Sequence, residues 1–317
     1  MIASETSAPE IRVALRAERR RKAKKYIPLY IFCLIPAVFV FIFHYIPIYG
    51  LVIAFQDFRV GLGIGGSSWN NFQNFRDFFD HPFFVRILRN TIVISAQRII
   101  FGFPAPVIVA LLLNELRNQA FKRTMQSISY LPHFMSWVVI AGIVIELLSP
   151  QRGIIGVFYR LVGIEEVPII LTNRRLFRPV LIASGIWHGV GWGTIVYLAA
   201  ISSIDPELYD VASIDGAGRI RQMVHITVPA LVPVMVVLFI LRLGRMLNAG
   251  FDQIFNLYNP LVYEVADIID TYVYRVGILD ARFGFAAAVG MFKNVIGVIL
   301  LLITNTIVKK FSEYSLW

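Results

Sequence analysis

Six times along this chain an apolar run approaches the length of a bilayer-crossing helix, which needs roughly 20 mostly apolar residues. The first, YIPLYIFCLIPAVFVFIFHYIPIYGLVIAF, runs from Tyr26 to about Phe55. The others lie near Asn90 to Leu113, Pro132 to Leu148, Pro179 to Ile201, Pro229 to Leu247 and Phe285 to Val308. Composition agrees: 57% of the 317 residues are hydrophobic and 16% are charged, against about a quarter charged in soluble domains. The chain is read as an all-α, polytopic membrane protein with about six transmembrane helices. Pro28, Pro36 and Pro47 are expected to kink or end parts of the first run.

The net charge of +10 has a local origin, because RAERRRKAKK at residues 16–25 stands directly before the first run. That position fits a cytoplasmic anchor obeying the positive-inside rule. No aromatic-interleaved basic fold follows it, so nucleic acid is excluded as a partner. The first run is too long for a signal-peptide core and lacks a small-residue cleavage site. An even number of crossings then returns the C-terminus to the cytoplasm, beside Lys309 and Lys310. The basic connection RNQAFKR also suits the inside, whereas Arg152, Arg160, Arg174, Arg175 and Arg178 fall outside. The lone Cys33 allows no intrachain disulfide.

These runs divide the chain into a basic tail (1–26), a first span (27–56), an external segment (57–89), a five-helix core (90–308) and a short tail (309–317). In the external segment, Phe72, Phe75 and Phe79 share a helical face, which fits an interfacial helix or one packed on the outer ends of the spans. No phosphate loop occurs, since GIGGSSW lacks its lysine. No metal-site spacing occurs among the histidines, and neither a catalytic set nor a cofactor site is expected.

One polar stretch, SSIDPELYDVASIDGAGRIRQMVHITVP, separates the fourth and fifth runs. Asp205 caps a helix whose first turn holds Pro206 and Glu207. Leu208, Val211 and Ala212 fall on one side of it, with Glu207 and Asp210 turned away. Gly216 and Gly218 permit a sharp turn into a second amphipathic piece, and Pro229 marks entry into the fifth span. The small residues Ala212, Ser213, Gly216 and Ala217 would let another surface approach closely. On residue chemistry alone, this helix pair either docks something or merely closes the bundle.

The stretch resembles the EAA loop of type-1 ABC importer permeases, whose pattern is E-A-A, three residues, G, nine residues, I, one residue, L-P. Asp210-Val211-Ala212, Gly216, Ile226, Val228 and Pro229 stand at matching spacing, with Asp210, Val211 and Val228 departing from the usual residue types. HYIPIYGLVIAFQDF, YLPHFMSWVVIAGIVIELLSP and YNPLVYEVADIIDTYVYRVGI are similar to the polysaccharide-type carbohydrate permeases, alginate permeases among them. The resemblance implies a type-1 permease bundle with a cytoplasmic coupling helix (loop 205–229), in a bacterial plasma membrane. It implies a second homologous permease, an ATPase dimer that binds ATP and Mg, an external solute-binding protein and a carbohydrate substrate. The implied ATPase contact comprises Asp210, Ala212, Ser213, Asp215, Gly216, Ala217, Arg219 and Arg221.

Ionisable groups at membrane depth mark a pathway or an internal pair. Arg242, Arg245 and Asn248 in the fifth run, with Lys293 and Asn294 in the sixth, are candidates for a polar vestibule or for ion pairs fixing the helices. Glu146 and His188 are possible partners, and Arg98 is an isolated charge. Trp187, Trp192 and Tyr197 either stack on sugar rings or pack between helices, as Gly185, Gly189, Gly191 and Gly193 would allow. Residues 250–284 are acidic and are read as a docking surface, a gate or a solvated loop. The alternative function is a secondary transporter driven by an ion gradient, which predicts inverted repeats and midplane carboxylates that are not evident.

Overall fold

Prolines and glycines decide where the apolar runs bend. The computed structural model describes residues 26–164 and 166–311, so the basic cluster at 16–25 lies outside the described residues. Among the described residues, five helices are long and apolar enough to cross a membrane: α1 (Tyr26–Phe55), α3 (Phe84–Asn114), α7 (Phe177–Ser202), α9 (Arg219–Gly244) and α13 (Phe283–Lys310). A sixth crossing needs the bent pair α4 (Gln119–Tyr130) and α5 (Trp137–Leu147). The all-α membrane architecture is therefore borne out. The described strands are a two-residue hairpin, β1 (Gln56–Asp57) against β2 (Ser68–Trp69).

α1 runs through Pro28 and Pro36 without a break in helical assignment. Its hydrogen-bond register changes only at a π turn, Phe41–Tyr45, before tightening to 3₁₀ geometry from Ile46 around Pro47. A proline has no N–H to continue the ladder, so the register is re-set beside it. Most of α1 stands exposed, and only its last turns pack on α13. There Asn74 donates to Ala54 O (2.9 Å) and Gln56 O (3.0 Å).

The external helix α2 (Gln73–Phe79) begins later than its sequence implies, because Phe72 takes a left-handed conformation (φ 68°). Phe72, Phe75 and Phe79 thus do not form the buried face. Asn74 and Phe78 do, with Phe78 packing edge-on to Phe84, Phe285 and Phe292.

The third apolar run is shorter as a helix than as a sequence. Pro132 sits in a 3₁₀ turn, Met135 and Ser136 are extended, and the chain turns by 107° before α5. An 11-residue helix spans about 16 Å at 1.5 Å per residue, roughly half of the hydrocarbon thickness. α10 (Phe251–Leu257), from the segment after α9, packs beside α5. Ile94, Ile140, Phe177, Leu181, Ala249 and Ile254 form the central buried cluster there.

Residues 250–282 are therefore not a solvated acidic loop. They form α10, α11 (Tyr263–Ala266), α12 (Ile269–Val273) and a π turn (Tyr274–Leu279), and Glu264, Asp267 and Asp270 are engaged while Asp252 and Asp280 stay exposed. Asp267, 1% exposed, accepts from Thr271 Oγ1 (2.7 Å) and pairs with Arg275 (2.6 Å). Burial works against the Arg275 charge, yet the Asp267 hydrogen bond and field, aided by Tyr258, outweigh it and raise its pKa. Glu264 pairs with Arg174, and Asp270 with Lys293. Asn90 donates to Glu264 O and Asp267 O, both at 3.0 Å, and accepts from Arg178 at 2.8 Å. These bonds bind the segment to α3 and α7.

Candidate functional site

At the end of the bundle opposite that segment, α8 (Glu207–Ile214) projects between α7 and α9. Asp205 starts it by accepting from Glu207 N (3.0 Å). Gly216 ends it: with φ at +73°, Ala217 N reaches Ala212 O (2.9 Å) and Gly216 N reaches Ser213 O (3.1 Å). This is a Schellman closure, which favours glycine at the left-handed position. Gln222 then donates to Ser213 Oγ (2.8 Å) and Ala217 O (3.0 Å), locking the second piece onto the first. Tyr209 OH bonds Thr227 Oγ1 (2.9 Å), and Arg219 lies 3.7 Å from Glu115.

The second piece is not separate from the fifth span. Arg219–Gly244 is one helix with a π turn at Met223–Thr227, where Val228 N–H bonds Met223 O. Pro229 lies just after this re-set register and inside the continuous helix, rather than starting one. The projection is thus welded to α9.

Its outward face is apolar. Leu208 is 52%, Val211 57%, Ile214 86% and Ile220 76% exposed. Leu208 and Val211, placed on one side of this helix by their spacing, thus face away from the bundle. Asp210, Ala212, Ser213, Asp215, Gly216, Ala217, Arg219 and Arg221 all belong to this projection, and among the described residues the Asp210 carboxylate has no partner.

Deeper in the bundle, two cavities of about 210 and 380 Å³ share Arg98 and Arg242 as walls. Arg242 donates to Gly102 O (3.3 Å) and Arg98 O (3.2 Å). Pro106 explains the first acceptor: without an N–H it cannot use the Gly102 carbonyl, which is left for the guanidinium. Gly102 also permits the approach, since a Cβ there would stand 3.1 Å from Arg242. Arg245 and Asn248 line the larger cavity with Ser95, and Asn248 continues into a third, of about 490 Å³, beside Lys293. Arg242, Arg245, Asn248 and Lys293 therefore line neighbouring cavities that share Asn248.

Other residues fall elsewhere. Tyr197, 3% exposed, packs in the apolar cluster with Val107, Ile201 and Leu231. Trp187 is partly exposed away from these cavities, whereas Trp192 lines the smaller one and stacks on His133 (4.8 Å, 11°). His188 stacks on Trp137 and meets Met135 O, and Glu146 pairs with Arg152, so neither partners the arginines. Residue patterns did not single out Gln253. It is 1% exposed, receives the Arg98 guanidinium, and donates to Leu181 O and Ser184 Oγ, both at 2.8 Å. Gly250, at φ +86°, lets the Arg98 guanidinium lie against the backbone.

A polytopic helical bundle with arginine-lined cavities between its helices and a rigid projection at one end has the form of a membrane transport subunit. The model of the binding-protein-dependent transport system inner membrane component matches residues 102–313, and the chain belongs to that family. It is 41% identical to the polygalacturonan/rhamnogalacturonan transport system permease protein YteP of Bacillus subtilis (strain 168), over all of both chains. It is 44% identical to protein LplB of the same organism, over 90% of this chain and 89% of LplB. A bacterial alginate ABC transporter, solved with an alginate pentasaccharide-bound periplasmic protein, has a chain 37% identical with a TM-score of 0.84. That likeness covers 93% of this chain and 99% of the other.

Proposed function

We propose that the chain is the membrane-spanning subunit of an ATP-driven, binding-protein-dependent importer of oligosaccharides or polysaccharide fragments in a bacterial plasma membrane. The observation that carries this reading is the exposed projection 207–222, held rigid by the Gly216 closure and the Gln222 bonds and welded to α9. A rigid apolar face rooted in a span can receive a partner's movement and pass it to the bundle without loss in a flexible hinge.

Its partners are a second homologous permease, an ATPase dimer and an external solute-binding protein. The chain itself hydrolyses nothing; ATP and Mg belong to the ATPase. Closure of the ATPases moves the projection, with Asp210, Ala212, Ser213, Asp215, Gly216, Ala217, Arg219 and Arg221 in contact. The spans then alternate access to a route bordered by Arg242, Arg245, Asn248 and Lys293. Both termini face the cytoplasm.

The decisive measurement is the assembled complex in proteoliposomes with loaded binding protein. Reversing the free carboxylate by Asp210→Lys is expected to lower sugar-stimulated ATP hydrolysis at least about tenfold, the scale of losing charge-assisted contacts at a docking face. Undiminished stimulation would remove this assignment. Uptake that persists without ATP and collapses with a proton ionophore would instead favour a gradient-driven transporter.

A further inference from the structure

α3 is helical throughout except at Phe103, and Pro104 and Pro106 follow directly. Without N–H groups, these prolines leave the Ile100 and Gly102 carbonyls without their helical donors. The break divides α3 into an outer piece, Phe84–Gly102, and an inner piece, Pro104–Asn114, each tied to a different neighbour. On the outer piece, Asn90 donates to Glu264 O and Asp267 O, Thr91 Oγ1 accepts from Ile269 N (3.0 Å), and Arg98 meets Gln253. This piece therefore belongs with residues 250–282. On the inner piece, Val107 and Ala110 pack with Tyr197 and Ile201 of α7, and Thr194 Oγ1 lies 3.3 Å from Pro106 O.

α9 grips the break itself. Arg242 donates to the Gly102 and Arg98 carbonyls, in the last turn of the outer piece. Phe239, one turn earlier on α9, meets the Phe103 ring edge-on (5.3 Å). A helix end carries orphan carbonyls and the negative pole of the dipole, and an arginine satisfies both. Here that cap comes from another helix. Among the described residues Arg242 forms no ion pair, so these two carbonyls are what hold its guanidinium. α9 is one helix from Arg219, at the projection, to Gly244, which puts Arg242 about 34 Å along the same axis from the docking surface. The cavities follow the break: Gly102, Ala105 and Pro106 line the smaller with Arg242, while Ser95, Arg98 and Ile99 of the outer piece line the larger. Tilting the outer piece against the inner one reshapes both.

We propose that Arg242 is a positioning residue for transport: reaching from α9, it caps the broken end of the outer piece of α3, so that a push on the projection moves that piece and the cavity walls it carries. This rests on the importer reading above and adds the point at which the ATPase's movement enters the route. Phe239 supplies the apolar half of the grip. Arg242 acts through α3 and needs no contact with the sugar to do so.

The test is hydrogen exchange on the assembled importer in lipid nanodiscs, with binding protein but no sugar, so that contact with a substrate does not enter the readout. Exchange is compared without nucleotide and with Mg and a non-hydrolysable ATP analogue. In the wild type, residues 207–222 should respond and exchange over residues 99–105 should shift at least about fivefold, the lower end of ordinary coupling between sites. Arg242→Met, which keeps the side chain's reach and removes every donor, should retain the response at 207–222 and lose that at 99–105. Arg242→Lys should regain part of it. Pro106→Ala returns a backbone donor to the Gly102 carbonyl and competes with the guanidinium, so it should weaken the response at 99–105 with Arg242 untouched; it carries the test where Arg242→Met does not assemble. A response at 99–105 that survives Arg242→Met, or survives Pro106→Ala where Arg242→Met does not assemble, overturns the proposal and leaves the importer reading standing. So does a wild type whose projection responds while residues 99–105 do not. If the projection stays unresponsive even after sugar-loaded binding protein is added, the importer reading itself fails.

Discussion

Gly216 carries a conformational requirement with no steric one. A Cβ there would meet nothing within 4 Å, yet its φ of +73° is one that side-chain-bearing residues resist. Gly216→Ala should therefore cost about 1 kcal/mol through backbone strain alone, and Gly216→Asn clearly less, because asparagine tolerates the left-handed turn. Thermal unfolding of the assembled complex reads both, and equal losses would show that a contact rather than φ matters. Asp267 is the opposite case, buried and bonded to Thr271 and Arg275. Asp267→Asn should destabilise by about 2 kcal/mol, below the roughly 3–5 for a fully enclosed pair, since Arg275 keeps 28% of its side-chain surface. Sequence spacing located Gly216 because a fixed turn needs a fixed residue. It did not reveal Asp267 as a core residue, since the partner that permits its burial, Arg275, is set by folding. Gln253 escaped notice for a related reason: its role exists only once Arg98, Leu181 and Ser184 converge on it.

At the scale of elements, apolar length placed the first, fourth and sixth spans to within about two residues, while the second helix begins earlier than expected, at Phe84 rather than Asn90. It failed at the third run, where hydropathy stays high across Met135 and Ser136 while the backbone turns by 107°. Hydropathy records solvent preference and carries no direction. It failed again at Pro229, because a π turn absorbs the proline that ordinarily ends a helix. Of the four glycines of α7 read as close-approach positions, two are: a Cβ on Gly191 would overlap the Ser129 carbonyl at the end of α4, and one on Gly193 would press on Pro106 at 2.8 Å, whereas one on Gly185 would make ordinary contact and one on Gly189 would meet nothing within 4 Å. Gly191→Ala must push backbone against backbone, so it should cost of order 1–3 kcal/mol. Because α4 turns into α5 just beyond, the same change should loosen the bend. Faster amide exchange over residues 119–134, with α13 unchanged, is the expected signature; a uniform increase would point to global destabilisation instead.

For the whole molecule, the open question is which way the bundle faces, because basic residues occur at both ends. The structure distinguishes the two sets by what they are used for. At the end holding residues 149–178, Arg152 and Arg174 pair with Glu146 and Glu264, while Arg160 and Arg178 donate to carbonyls of Pro150, Gln151 and Val265. Charges consumed in holding a fold together are weak topology signals, whereas a dense basic run beside the first span is a strong one. The projection at 207–222 should accordingly lie in the cytoplasm and residues 149–164 outside. In a Cys33→Ser background, a membrane-impermeant maleimide applied to intact spheroplasts should label a Gln151→Cys variant. An Asp215→Cys variant, exposed at the tip of the projection, should react only after permeabilisation. The reverse pattern would place the projection where no ATPase can reach it, and the coupling assignment would fall with the orientation.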